Sequence, residues 1–254
     1  MPTEPIVFYD LPSKVKGTSW SGNTLKIKFT LEYKRLPYKT VFVEFPDIAR
    51  VSREIGASPT GTWPDGSPKY TVPAIYDPST KTAVADSMVI ARYLDATYPD
   101  TPRAIPEGTE AFHETTMVAI RTVIGPHSGP LVMTLVPPLL SPDSGAYYSA
   151  RVESMLGESL MKELSVVGSA AREERWMTLE SAMGKLAQWI EVDGKKRKFF
   201  MGDMPCFADF IVGAGLVAMK RVLGEDGKEW RRVAQWHGGR WARLVAALEE
   251  LFVQ

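Results

Sequence analysis

Thr71-Val72-Pro73-Ala74-Ile75-Tyr76, followed by Asp86-Ser87-Met88-Val89-Ile90-Ala91-Arg92-Tyr93-Leu94, is the stretch whose reading decides the fold. A proline between short apolar runs does not belong in a central strand, because it donates no ladder hydrogen bond and fixes φ. It needs an edge, a strand start or a cis turn. With the Val72-Pro73 bond cis, the turn presents the N–H and C=O of Val72 outward, where an extended peptide can pair as a short added strand. Asp86 and Ser87 then arrive at the start of a helix. There the free N–H groups and the dipole favour a carboxylate, while Asp86 can take an ammonium. A peptide carrying both charges at one end fits that arrangement.

Outward from this stretch, the chain divides into two unlike parts. Short pieces alternate at first: a strand Ile6 to Tyr9, a helix over 22–33, a strand Thr40 to Val43 and a helix Ile48 to Ile55. Strands Ala74 to Tyr76 and Thr82 to Val84 and a helix Ser87 to Thr97 complete a small α/β unit over 1–98. Between Gly56 and Tyr70, Pro59, Gly61, Pro64, Gly66 and Pro68 read as an inserted loop. Pro99, Pro102 and Pro106 make 99–106 a linker too proline-dense to be helical. The remainder, 107–254, repeats apolar residues at helical spacing, as in Leu179, Met183, Leu186 and Ile190, and Pro137-Pro138 must end a helix.

Composition removes several function classes. The 254 residues are 44% hydrophobic, with 30 basic and 30 acidic side chains, so a full core is possible and no net charge draws the chain to nucleic acid. Trp230, Trp236 and Trp241 with Arg231, Arg232, Arg240 and Arg243 therefore read as buried indoles on a solvated helix rather than a stacking face for nucleic acid. A single cysteine excludes an internal disulfide framework, and three scattered histidines suggest no metal site. The first residues lack a basic region followed by a long apolar core, and no window approaches roughly 18 uninterrupted apolar residues. The expectation is a soluble, cytoplasmic protein without metal or membrane partner.

Ser21-Gly22-Asn23-Thr24-Leu25-Lys26 forms a second constellation, between the first strand and the first helix. Its plain reading is an N-cap that satisfies orphan N–H groups. Its chemical reading is a hydroxyl beside a helix N-terminus that holds a thiolate. Lowering a thiol pKa by about 2 units needs about 2.7 kcal/mol. A hydrogen bond to a charged acceptor supplies about 1.5 to 3 kcal/mol and a helix terminus about 0.3 to 1, so one serine on one helix is sufficient.

These features together resemble the cytosolic glutathione transferases, along essentially the whole chain. The resemblance rests on Ser21 opening the first helix, with Lys26 and Lys28 in its body, and on Val72-Pro73. Asp86-Ser87 before Met88 to Leu94 and the late segment Gly202-Asp203-Met204-Pro205-Cys206-Phe207-Ala208-Asp209 complete it. More narrowly, Phe8-Tyr9-Asp10, Trp20 to Thr24, Leu36-Pro37-Tyr38-Lys39-Thr40, Asp65-Gly66-Ser67-Pro68 and Tyr93 to Pro99 look like the fungal-specific class A transferases of wood-decaying fungi. Those enzymes are similar to bacterial lignin β-etherases.

The resemblance implies a thioredoxin-like N-terminal domain and an all-α C-terminal domain, with glutathione as co-substrate and a homodimer as the assembly. Ser21 falls where serine-type members stabilise the glutathione thiolate, with Asn23 or Thr24 assisting or replacing it. Val72, beside Pro73, would pair with the cysteinyl backbone, and Asp86 and Ser87 would hold the γ-glutamyl end. Lys39 and Lys69 both remain candidates for the glycyl carboxylate, because the long 56–70 connection departs from the usual short one. Cys206 stands where many members cap a core helix with Ser or Thr, so it reads as structural, with Asp209 keeping the other half of the capping box. The second, aromatic substrate would meet Phe112, Met117, Ile120, Arg121 and Ile124. Conjugation, peroxide reduction and ether cleavage all suit a serine site, in detoxification of xenobiotics or wood extractives. Two rivals stand beside this reading: a ligandin that carries polyphenols with little turnover, and a scaffold that has kept the fold and lost the chemistry.

Overall fold

The computed structural model describes residues 1–15 and 19–252. The first part of the chain runs β1 (Ile6–Asp10), α1 (Gly22–Tyr33), β2 (Tyr38–Phe42), α2 (Ile48–Glu54), β3 (Gly61–Thr62), β4 (Pro68–Lys69), β5 (Ala74–Asp77), β6 (Thr82–Ala85) and α3 (Ser87–Thr97). Strand β1 is buried along its length, and its alternation feeds two cores. Ile6 and Phe8 join Leu25, Ile75 and Leu94, whereas Val7 and Tyr9 join Ile48, Val72 and Ala74. A strand apolar on both faces belongs in the middle of a covered sheet. The sheet order is β2-β1-β5-β6, with β1 parallel to β2 and antiparallel to β5, and β5 antiparallel to β6.

The Val72-Pro73 bond is cis, and Pro73 stands just before β5, where a missing ladder donor costs nothing. Strand β2 begins two residues earlier than its apolar run suggests, because Tyr38 already pairs with Ile6. The 56–70 segment also differs from the expected open loop. Its β3 and β4 form a small hairpin, closed by a turn in which Asp65 Oδ1 accepts from Ser67 N at 2.9 Å and Gly66 takes a φ of +83°. An Asp-Gly pair supplies both the side-chain acceptor and the positive φ that such a turn requires.

After the proline-rich linker come α4 (Glu110–Ala119), a π-helical turn Ile120–Ile124, α5 (Gly125–Met133), α6 (Pro142–Leu156), α7 (Glu158–Ser165), α8 (Ala170–Ile190), α9 (Phe207–Leu223) and α10 (Lys228–Phe252). Helix α10 is interrupted at Trp236 to Gly239, where His237, Gly238 and Gly239 all have positive φ. The indoles of Trp230, Trp236 and Trp241 are buried, and Trp241 Nε1 donates to His237 Nδ1 at 2.9 Å. Arg172 is buried on α8, forked onto Glu229 with both contacts at 2.6 Å, and its Nη1 donates to the carbonyls of Leu131 and Leu164. A buried guanidinium needs this degree of satisfaction to be tolerated.

Helix α1 packs between the sheet and α9, which explains why nearly all its faces are buried. An added Cβ on Gly22 would meet Ala214 O and Gly215 Cα at 3.4 Å, so the two helices approach backbone to backbone at the end where Ser21 sits. Cys206, buried at the start of α9, donates Sγ–H to Asp209 Oδ2 at 3.2 Å, and its N–H donates to the same oxygen at 2.9 Å. Burial and the neighbouring carboxylate hold this thiol well above its ordinary pKa, as a structural cysteine requires. No helix among the described residues is long and apolar enough to cross a membrane.

Candidate active site

Ser21 has extended backbone angles and caps α1, its Oγ accepting the Asn23 N–H at 3.3 Å. The hydroxyl hydrogen is not consumed by that contact, because a serine oxygen both donates and accepts. Ser21 opens onto a cleft of 540 Å³, a volume typical of small-molecule sites. Asn23, Lys26 and Val72 share its wall, so residues from α1 and from the cis-proline turn face one space. Thr24 is set apart. It is fully buried, its Oγ1 donates to the Ser21 carbonyl at 3.2 Å, and it does not line the cleft.

Asp86 has φ +74° and caps α3, accepting from Met88 N at 2.9 Å and Val89 N at 3.3 Å. A non-glycine residue held in that region is uncommon, and such residues cluster at ligand sites. Ser87 is buried in the first turn of α3. Neither Asp86 nor Ser87 lines the cleft, although Asp86 acts electrostatically on Lys26, which does. The two lysine candidates separate here. Lys39 lies exposed on the edge strand β2, whereas Lys69 lies on β4 with its Nζ 4.8 Å from the ring centre of Trp63, a cleft residue.

Met117, Ile120, Arg121 and Ile124 all line the cleft from α4 and the π-helical turn. Phe112 does not. Its ring packs against His113 at 5.0 Å and Phe200 at 6.1 Å, away from the cleft. His113 itself is fully buried and its pKa is pushed down to about 4 by that burial, so it stays neutral at physiological pH.

The aromatic wall of the cleft is one that sequence reasoning missed. Trp20, Phe45, Trp63, Tyr147, Tyr148 and Arg151 form it. Tyr148 sits 5.1 Å from Phe45 and 6.5 Å from Trp20, and Arg151 lies 5.0 Å over Trp63. A clamp between the chain's two halves holds this wall. Ser141 Oγ and Ser144 Oγ both donate to Glu44, and Phe45 N donates to Ser144 Oγ at 3.0 Å. Glu44 thus meets the N-terminus of α6, where a carboxylate is favoured. Burial raises the Tyr148 phenol to about 12, which keeps it neutral. The cleft lining carries three cations, Lys26, Arg121 and Arg151, and no carboxylate among the described residues. That balance suits an anionic peptide. Among the described residues no group of three or more His, Cys, Asp and Glu side chains is arranged to hold a metal ion.

Family models for the glutathione S-transferase N-terminal and C-terminal domains match residues 20–97 and 109–251. The chain belongs to this family. It is a glutathione transferase, with glutathione as co-substrate. The glutathione S-transferase-like protein ustS of Aspergillus flavus is 31% identical to it over 259 residues, covering 94% of this chain and 88% of that protein. The glutathione S-transferase CsGST63524 of Ceriporiopsis subvermispora, crystallised in complex with glutathione, is 39% identical with a TM-score of 0.95, over 99% of each chain. Glutathione transferase GSTFuA3 of Phanerochaete chrysosporium is 38% identical with a TM-score of 0.91, again over 99% of each chain.

Proposed function

We propose that this transferase holds glutathione as a thiolate at Ser21 and directs its sulfur at an aromatic electrophile seated against the aromatic wall of the cleft. The observation that carries the reading is the sharing of one cavity by Ser21, Val72 and an aromatic wall to which both parts of the chain contribute. In this reading the S–H ionises and its proton passes to water. The thiolate then forms a C–S bond, and the leaving group departs with its electron pair. Ser21 Oγ–H and the α1 N-terminus stabilise the anion. Val72 pairs through its main chain with the cysteinyl unit. Asp86 takes the γ-glutamyl ammonium, and Ser87 with the α3 N-terminus takes the neighbouring carboxylate. Lys69 is favoured over Lys39 for the glycyl carboxylate, given its place beside Trp63.

We assign the enzyme to the fungal-specific class A group, supported by its 38% identity to GSTFuA3. Domains at 1–98 and 107–254 with a 99–106 linker, a cytoplasmic homodimer and a role in detoxification belong to the same reading. The direct test is calorimetry on Asp86→Asn, which keeps the α3 cap and the unusual φ but removes the charge. Glutathione affinity is expected to fall about tenfold, the loss of one charged hydrogen bond. Unchanged affinity removes Asp86 from the site.

A carrier role is favoured by one further observation: Met117, Met133, Met155 and Met183 all line the cleft, and methionine adapts to ligands of varied shape. If the protein is chiefly a ligandin, a phenolic compound alone will raise the melting temperature as much as it does with glutathione present. A transferase site should gain most from the pair.

A further inference from the structure

We infer that the Lys26 ammonium is a second stabiliser of the sulfur anion, facing it from deeper along α1 than Ser21. The inference rests on the thiolate reading above and extends it to a residue with no assigned role. Lys26 lines the cleft, yet its side chain is only 9% exposed. Its hydrogen bond among the described residues goes to Asn23 Oδ1 at 3.1 Å, a neutral acceptor. Asn23 in turn gives its N–H to Ser21 Oγ, so Ser21, Asn23 and Lys26 form one connected polar strip on an apolar wall.

A buried cation is normally paired, because desolvation is costly without an opposite charge. The charged groups acting on Lys26 are Asp86, at the start of α3, and Arg121, after α4, and they oppose each other. Asp86 is also engaged with two α3 N–H groups and, in the reading above, with the γ-glutamyl ammonium. Burial therefore dominates and lowers the lysine to about 8. The lysine remains mainly protonated at pH 7, and an ammonium has two further donors to offer. An anion arriving in the cleft next to Ser21 supplies the missing partner. On ionisation the sulfur keeps the electron pair, the proton passes to bulk water, and Nζ keeps its own three protons.

The experiment is an ultraviolet pH titration of the thiol in glutathione bound to the wild type, Lys26→Met and Lys26→Arg, with calorimetry of S-methylglutathione on all three. An opposite charge within about 4 to 6 Å lowers a pKa by roughly 1 to 3 units. Lys26→Met is therefore expected to raise the bound thiol's pKa by about one unit and to cut kcat/KM at pH 7 about tenfold, with recovery at higher pH. Lys26→Arg should retain most of the effect. S-methylglutathione, which has no thiol to ionise, should bind all three proteins alike, and that binding also reports that each is folded. Two results overturn the inference: a lowered wild-type pKa that Lys26→Met leaves unmoved, or an equal loss of S-methylglutathione affinity, which would assign the lysine to a carboxylate. A wild-type thiol that titrates at its free value overturns the thiolate reading itself, and the inference with it.

Discussion

Replacing Ser21 with alanine is expected to lower kcat/KM for an aromatic electrophile about 10- to 100-fold, while leaving S-methylglutathione binding nearly unchanged. The hydroxyl offers a hydrogen bond to a charged acceptor, worth about 1.5 to 3 kcal/mol. Each 1.36 kcal/mol is about tenfold in rate. The bond strengthens as the sulfur becomes anionic, so its loss falls on the thiolate and not on the peptide contacts at Val72 and Asp86. Ser21 is also the α1 cap, and losing that acceptor should cost about 1 kcal/mol of stability. Ser21→Thr separates the two effects, since it keeps a hydroxyl in both roles and should retain most of the rate. An unaltered rate in Ser21→Ala would move thiolate stabilisation to Asn23 and Lys26, which line the same wall.

The features readable in the sequence were those governed by local rules. Pro73 had to open a strand or a turn, and Asp86 had to cap a helix, whatever the rest of the chain did. Ser21 was legible for the same reason. Choosing among Ser21, Asn23 and Thr24 needed the direction of each side chain. Helix α1 hides that direction because it is covered by the sheet on one side and α9 on the other, leaving no polar face to orient it. Phe112 is a different case. It shares α4 with Met117, but its ring is taken up by His113 and Phe200, a tertiary contact that helical spacing does not reveal.

The aromatic wall was hidden for a tertiary reason. Tyr147, Tyr148 and Arg151 lie on a helix with many polar residues, and contacts distant in sequence, from Glu44 to Ser141 and Ser144 and from Phe45 to Tyr148, bring that helix to the cleft. The position of Lys69 beside Trp63 was hidden in the same way, since it depends on the Asp65-Gly66 turn that folds the hairpin.

Asp95→Ala is expected to destabilise the enzyme by about 3 to 5 kcal/mol, the usual cost of stranding a buried charge. Asp95 Oδ1 accepts from Lys34 Nζ at 2.7 Å and from Ala104 N at 3.0 Å, and Oδ2 accepts from Ile105 N at 2.8 Å. Lys34 also donates to Pro102 O at 3.2 Å, and Ala104 O accepts from Phe207 N at 2.7 Å. One carboxylate thus ties the end of α1, the body of α3, the linker and the start of α9 together. Lys34 is fully shielded from solvent, and burial draws its pKa below the ordinary lysine value even with Asp95 beside it. Removing the carboxylate should lower the melting temperature by roughly 10 °C for a chain of this size. Because most of that loss comes from the stranded ammonium, the double variant Lys34→Met/Asp95→Ala should be more stable than Asp95→Ala alone, leaving mainly the orphaned N–H groups of Ala104 and Ile105. Urea unfolding of the four proteins measures the coupling, and strictly additive losses would mean that the pair does not act as a unit. Since α9 contributes Ile211, Val212 and Gly215 to the cleft, loosening its start should also raise KM for the aromatic substrate before the protein unfolds.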